Sequence, residues 1–225
     1  MYMGIKEDYY VKSIPRKDAL RIVVEKHYLH RECAAKWSFG LFDKENNIKG
    51  VCIFGIPPSP GICQAICGES ERLNVVELSR LYVDEGCPKN TESFLIMKSV
   101  NEIPDPIIIS FAEIEQDHTG IIYQATNWLY TGISDPYDVY ILPEKDEHFR
   151  HAYDRYGGLK NMREIFGDKL IKKTVPSKHR YIYFNCDKRR KRELLKKLQY
   201  PILPYPKRDS PVSHYKISQE QKTLV

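Results

Sequence analysis

The sequence predicts an α/β protein with a mixed central sheet, helices on both faces, and a basic helix near the C-terminus. Three observations carry this. A strand-like alternation over Val75–Val83 and an apolar run over residues 107–111 enclose a helical stretch, Thr91–Val100. Strand, helix, strand implies a parallel pair at the centre. A polar turn at residues 43–47 joins two short apolar segments into a hairpin, which implies antiparallel edges. Residues 188–198 set Leu194, Leu195 and Leu198 to one side of a run of lysines and arginines.

Taken in order, Arg16–Lys26 reads as a helix. Pro15 suits its first turn, and Ala19, Leu20, Val23 and Val24 form its apolar stripe. Residues 37–42 and 50–56 are the strands of the hairpin, and the Pro-rich run at 57–61 breaks any regular element. Alternation along residues 75–83 sets Val76, Leu78 and Arg80 on one face. Asn90 or Thr91 caps the helix that follows. Residues 107–111 have the continuous apolar character of a strand buried on both faces. Residues 118–130 read as a second helix, with Ile122, Ala125 and Leu129 inward and Gly132 closing it. Residues 137–142 are a further strand, 143–178 a polar, partly helical insertion, and 180–184 the last clear strand. The expected organisation is one domain, 1–207, and a loose Pro- and Ser-rich tail, 208–225.

A chain of 225 residues with 42% hydrophobic content has enough apolar material for one large core, which excludes a disordered protein. The first ten residues lack the apolar core of a signal peptide. The most apolar stretch, 106–112, is too short to cross a bilayer. A soluble cytoplasmic protein without a membrane partner is expected. The six cysteines are then expected to stay reduced. Cys63 and Cys67 form a C-x3-C pair, but no second pair completes a zinc site. Residues 169–208 carry fourteen Lys or Arg and two acids, while the rest of the chain is acidic by seven charges. Such clustering is the electrostatic signature of a polyanion partner; the plainer reading is a solvated basic face.

The middle of the chain is more specific. It reads ELSRLYVDEGCPKNTESFLI at 77–96 and ISFAEIEQDHTGIIYQATNWLYTG at 109–132, after HYLHR at 27–31 and before KHRYIYF at 178–184 and YPILPYPK at 200–207. This ordered set resembles the Mom family of phage DNA-modification proteins and their GNAT-like relatives. The resemblance runs from about residue 20 to 207. It implies a GNAT-like acyltransferase fold and a transferase that places a carbamoylmethyl or glycyl-type group on N6 of adenine in DNA. That change protects phage DNA from restriction nucleases in the host cytoplasm. The resemblance leaves the donor between an acyl-CoA and an aminoacyl-tRNA, and implies iron as a possible metal. Double-stranded DNA is the expected partner; a donor tRNA and a second copy of the chain stay open. Two other functions stay open: a GNAT acyltransferase acting on a small molecule or a hypermodified thymine, and a non-catalytic DNA-binding accessory protein.

The proposed chemistry sets requirements. Adenine N6 is a poor nucleophile, so a catalyst must orient it, accept its proton and stabilise charge on the donor. A base inside a duplex must first be flipped out. His27 is the candidate general base or metal ligand, although by itself it reads as a histidine meeting a helix C-terminus. Tyr28 is a candidate for stacking or for donation through its hydroxyl. His30, three residues on, makes a possible second iron ligand, with no third in view. Arg80 is a candidate anion or oxyanion holder, or else one half of a salt bridge to Glu77 or Glu113. Ser110 and Glu113 end a strand where an open sheet places its site. The family more often has Asp at the position of Glu113, which here accepts the N6 proton or orients His27. Tyr123 is the candidate donor to a leaving thiolate, its alternative being a core hydroxyl, and Asn127 lies a turn away on the expected helix. Lys89, Asn90, Thr91 and Ser93 make an anion-binding helix start. The glycines of the usual GNAT pyrophosphate loop are replaced there, and Pro88 removes a donor. Lys178, His179 and Arg180, then Lys188, Arg189, Arg190, Lys191 and Arg192, are the expected phosphate contacts. Tyr181 and Tyr183 either stack on bases or pack against the sheet.

Overall fold

A computed structural model describes residues 3–114, 118–144 and 149–207. The expected tail, 208–225, lies outside them. Helix α1 (Met3–Asp8) leads into strand β1 (Tyr9–Ser13), and α2 (Arg16–Lys26) precedes the hairpin of β2 (Trp37–Asp43) and β3 (Ile48–Gly55). Then come α3 (Pro60–Cys67), a 3-10 segment (Glu69–Asn74), β4 (Val75–Val83), α4 (Thr91–Val100), β5 (Ile107–Glu113), α5 (Ile121–Ala125) and β6 (Leu129–Ile133). The chain continues through β7 (Tyr137–Ile141), α6 (Phe149–Tyr156), α7 (Leu159–Phe166), β8 (Ile171–Val175), β9 (Lys178–Phe184) and α8 (Lys188–Lys197).

Seven strands form one sheet in the order β1-β2-β3-β4-β5-β9-β6, in which β4 and β5 run parallel and every other pair is antiparallel. The mixed sheet with helices on both faces is therefore as expected. On one face Phe94, Leu95 and Ile96 of α4 bury against Phe54, Val76, Leu78 and Ile108. On the other, Ala19, Leu20 and Val23 of α2 cover Val51 and Ile53. Beside them, Cys63 and Ile66 of α3 and Leu194 of α8 cover Val75, Ile107 and Phe184. Each fully buried Val, Leu, Ile or Phe among them contributes roughly 1.5–3 kcal/mol by leaving water. The six cysteines are free thiols.

Two features of the sheet create the site. The parallel ladder has three rungs, Val75 to Ile107, Val76 to Ile108 and Glu77 to Ile109, after which β4 and β5 part. β5 stays paired with β9 as far as Glu113 opposite Lys178. At the same point the register between β3 and β4 shifts: Phe54 faces Leu78, Ile53 faces Arg80, and Ser79 is the extra residue. A bulge of this kind reverses the alternation beyond it. Leu81 and Val83 then join the face of Val76 and Leu78, while Tyr82 packs on the opposite side with α2. The expected grouping of Arg80 with Val76 and Leu78 is thus overturned: Arg80 shares a face with Glu77.

Other expectations change in detail. The run 57–61 does not end regular structure, since Pro60 starts α3 as an N1 proline. The long helix expected over 118–130 is the five-residue α5. Asn127 has φ +59°, which turns the chain, and residues 129–133 form β6 along β9. Strand β7 does not enter the main sheet but pairs with β8, and Leu142, Ala152 and Met162 form a small core beside that ribbon. The insertion thus spans β7 to β8 with an apolar centre of its own. Tyr181 is fully buried against Tyr123 and Tyr130, and Tyr183 packs on Trp128, so both serve the core. Among the described residues no helix is long and apolar enough to cross a membrane.

Candidate active site

Where β4 and β5 part, the sheet opens into a cleft of about 420 Å³. His27, Tyr28, Arg80, Ser110, Glu113 and Tyr123 all line it, and so does Lys178. Groups scattered over 150 residues of sequence meet because α2 ends, β4 bulges, β5 ends and β9 begins at one point of the sheet. Gly120 closes the floor with φ +72°, a left-handed conformation at the start of α5; a Cβ there would lie 2.4 Å from the Tyr181 ring.

His27 follows the last residue of α2 and has an extended backbone, with its N–H still bonded to the Val23 carbonyl at 3.0 Å. Its Nδ1 accepts the Leu29 N–H at 3.1 Å. The neutral ring therefore carries its proton on Nε2. Burial, then the neighbouring Arg80 guanidinium, holds its pKa down at about 4. Tyr28 stacks on this ring at 4.3 Å and remains 52% exposed. Its hydroxyl donates to Glu113 Oε2 at 3.2 Å. Burial, then the Glu113 charge, pushes the phenol up to about 12. Glu113 also receives Lys178 Nζ on Oε1 at 2.7 Å. Burial opposes its charge, but the lysine, the tyrosine and His118 outweigh that and lower its pKa. Tyr28, Glu113 and Lys178 thus form one continuous chain across the mouth.

Arg80 is not half of a salt bridge to Glu77 or Glu113 among the described residues. Its Nη1 donates to its neighbour's carbonyl, Ser79 O, at 2.6 Å, and its Nε is buried without a partner among the described residues. Such a guanidinium has donors left for a ligand oxygen. Ser110 Oγ donates to Leu78 O at 3.0 Å, bridging the two strands where they separate. A hydroxyl has one proton, so the 2.8 Å contact between Ser110 and Tyr123 has Tyr123 as donor. Burial raises the Tyr123 pKa strongly.

The sequence reading missed Glu77 as a cleft residue. It lines the cleft, its carboxylate makes no hydrogen bond or ion pair among the described residues, and burial raises its pKa against Arg80, Lys178 and Arg150. Regular alternation would put Glu77 and Arg80, three residues apart, on opposite faces. The bulge at Ser79 removes that separation, and no sequence signal marks the bulge.

Several other expected site residues lie elsewhere. Lys89, Asn90, Thr91, Ser93 and Asn127 do not line the cleft. Thr91 and Ser93 are buried, with Thr91 Oγ1 donating to Pro88 O at 2.5 Å. Asn90 is left-handed and makes no side-chain cap, and Asn127 is an exposed turn residue outside the helix. The start of α4 is a poor cradle for a pyrophosphate. Pro88 has no N–H, and Glu92, in the first turn, brings a carboxylate to the cleft. His30 does not form a metal pair with His27. It has φ +43°, its Nδ1 lies 2.9 Å from Val24 O, and it is outside the cleft. No three His, Cys, Asp or Glu side chains among the described residues are grouped to hold a metal, so the expected iron does not fit the residues present.

The basic segment divides. Lys178 is in the cleft. His179 and Arg180 are not surface contacts, because β9 is covered on both sides by β5 and β6. His179 is 3% exposed and bonded to the Tyr130 hydroxyl at 2.9 Å. Arg180 is held by Thr131 Oγ1 and O at 3.0 and 2.8 Å and lies 3.5 Å over the Tyr200 ring. In α8, Lys188, Arg189 and Arg192 are exposed, while Arg190 pairs with the buried Glu71. β9 runs from Lys178 beside Glu113 to Phe184 beside Ile107, so α8 begins at the end of the sheet away from the cleft.

A polar cleft of imidazole, guanidinium, carboxylates and hydroxyls at the parting of two parallel strands defines an α/β protein equipped for catalysis. Residues 8–207 match the Mom protein family, and the chain belongs to it. It is 27% identical over 202 residues to the methylcarbamoylase mom of Escherichia phage Mu, covering 84% of this chain and 80% of that protein. Among solved structures, an N-acetyltransferase from Staphylococcus aureus Mu50 aligns with TM-score 0.44 and 12% identity over 80% of this chain and 99% of its own. A putative acetyltransferase, yncA, from Salmonella typhimurium, solved with acetyl-CoA, aligns with TM-score 0.44 and 10% identity over 80% and 95%. Likenesses this distant carry neither donor nor substrate over to this chain.

Proposed function

We propose that the chain is a DNA-modifying transferase that adds a carbamoylmethyl or glycyl-type group to N6 of adenine and so shields phage DNA from restriction. The observation that carries the reading is the convergence of His27, Arg80 and Glu113 on one cleft, in a chain that matches the Mom family over residues 8–207. A non-catalytic accessory protein has no need of an Arg with an unsatisfied buried Nε beside a neutral histidine.

Each residue then has a task. Arg80 and the His27 Nε2–H point donor hydrogens at the charge that develops on the donor's carbonyl oxygen. Tyr28, exposed at the mouth, stacks on the flipped adenine. Glu113, ionised by Lys178, holds Tyr28 in place. Tyr123 and Ser110 brace the point where the strands part. The donor is of acyl type; the altered loop before α4 favours one bound without the usual pyrophosphate cradle. Double-stranded DNA meets Lys178 at the cleft and the exposed cations of α8. The six residues of β9 between them span about 20 Å at ~3.3 Å each, close to six base pairs of duplex.

The test is nucleoside mass spectrometry of plasmid DNA from cells making the protein. A modified deoxyadenosine is expected with the native chain, falling at least 100-fold in Arg80→Ala. An unmodified adenine pool in cells that accumulate folded native protein overturns the reading.

A further inference from the structure

We infer that Glu77 is the proton acceptor for the attacking amino nitrogen, the task the sequence offered to His27 or Glu113. The inference rests on the transferase reading above. The acceptor must be a group in the cleft with an open lone pair.

Three candidates are already committed. His27 Nδ1 is taken by the Leu29 N–H, so its other nitrogen carries the hydrogen and donates. Glu113 has both oxygens engaged, Oε1 by Lys178 and Oε2 by Tyr28. The Tyr123 hydroxyl is buried and donates to Ser110. Glu77 differs from all three, and from Glu92, which reaches the cleft from the first turn of α4 and not from the strand that carries Arg80. It occupies the last rung of the parallel ladder, next to the opening, and neither oxygen has a hydrogen-bond or ion-pair partner among the described residues. The Ser79 bulge sets Arg80 on the same face, so the acceptor and the guanidinium address one substrate from one strand.

The groups around Glu77 are Arg80 on its own strand, Lys178 on β9 and Arg150 on α6, whose charges favour the carboxylate. Cys33 on the loop after α2, Cys63 on α3 and Tyr123 on α5 feel its charge and are themselves held neutral by burial. Burial outweighs the three cations and raises the Glu77 pKa. A carboxylate so placed is a stronger base than the ion-paired Glu113.

In the step, written for the glycyl-type product, adenine N6 forms a bond to the carbonyl carbon of the acyl donor. The bond from that carbon to the leaving sulfur or oxygen breaks, and its electron pair departs with the leaving atom. One N6 proton passes to a Glu77 oxygen, and the protonated acid returns it to the leaving group or to water. Arg80 and His27 hold the carbonyl oxygen, and no redox change occurs.

The experiment incubates plasmid DNA with purified protein and clarified host-cell extract as the donor source, buffered between pH 5.5 and 8.5. The initial rate of modified deoxyadenosine is read by mass spectrometry. The native protein is expected to lose rate on the acid side, and Glu77→Gln is expected to lower the rate by 10²-fold or more and to abolish that loss. Glu113→Gln is expected to lower the rate and keep that acid-side fall. A Glu77→Gln protein that melts like the native one yet works within threefold of it, or keeps the native pH profile, overturns the inference while leaving the transferase reading intact. If the native protein modifies no adenine at any pH, the transferase reading falls and this inference falls with it.

Discussion

His27 shows how one residue's surroundings choose its chemistry. At the end of a helix an exposed histidine gains from charging, because its proton meets the helix dipole. Here the ring is buried, faces Arg80 and accepts a backbone N–H, so it stays neutral to a pKa of about 4 against an ordinary 6.5. The sign follows from linkage. As pH falls, the unfolded chain binds a proton at this residue before the folded chain does, so stability is full above about pH 7 and declines between 6.5 and 4. Urea unfolding at pH 7 and pH 4.5 is expected to show His27→Gln losing about 2 kcal/mol less than the native protein over that interval. Equal losses would show that His27 charges freely in the fold. Tyr28 belongs to the same scale: Tyr28→Phe keeps the stacking ring and removes the bond to Glu113. A reduction in initial modification rate of about tenfold, measured with native DNA, is expected from the loosened ring; an unchanged rate would remove Glu113 from its positioning task.

Among elements, α8 has two faces with different work. Leu194 inserts into the core, and Glu71, 3% exposed in the 3-10 segment before β4, binds Lys197 at 2.6 Å and also Arg190 and Asn74. Burial opposes the Glu71 charge, but these partners prevail and hold its pKa below the ordinary value. Its contribution is therefore present above the usual glutamate range and disappears as pH falls through the lowered pKa. Glu71→Ala is expected to cost about 1–3 kcal/mol in chemical denaturation, since both cations are partly exposed and regain water. A cost near zero would mean that Leu194 alone anchors the helix. The contrast with β4 is instructive. Its Val, Leu and Tyr residues announce a strand, and that is what forms. The bulge that turns Arg80 round depends on the register with β3, which no local pattern in β4 encodes.

At the scale of the whole molecule, Lys178 sits at the cleft end of β9 and the cations of α8 lie beyond the far end of the sheet. The insertion from β7 to β8 adds Arg150, whose charge reaches Glu77. If duplex DNA lies along this surface, its affinity is set by phosphates and falls with salt. Replacing Lys188, Lys191 and Arg192 by Ala is expected to flatten the plot of log affinity against log salt by roughly 0.9 for each phosphate no longer neutralised, with no change in the rate on saturating DNA. An unchanged slope would mean that α8 only faces solvent.

By itself the sequence determined what depends on local pattern and charge. It placed α2, α4, the β2–β3 hairpin, the parallel β4–β5 pair and α8, because periodicity and turn chemistry act over a few neighbouring residues. Its family motifs also drew attention to His27, Tyr28, Arg80, Ser110, Glu113 and Tyr123, all of which line the cleft. Tertiary structure alone decided what depends on pairing at a distance. The shortness of α5, the burial of His179 and Arg180 between two strands, and the departure of Asn127 from a helix all follow from β6 and β9 pairing. The ring tautomer of His27 and the free carboxylate of Glu77 follow from where strands part and bulge. Those are properties of the assembled fold, and a pairing between residues as far apart in the chain as Leu129 and Ile182 leaves no mark on the local sequence of either.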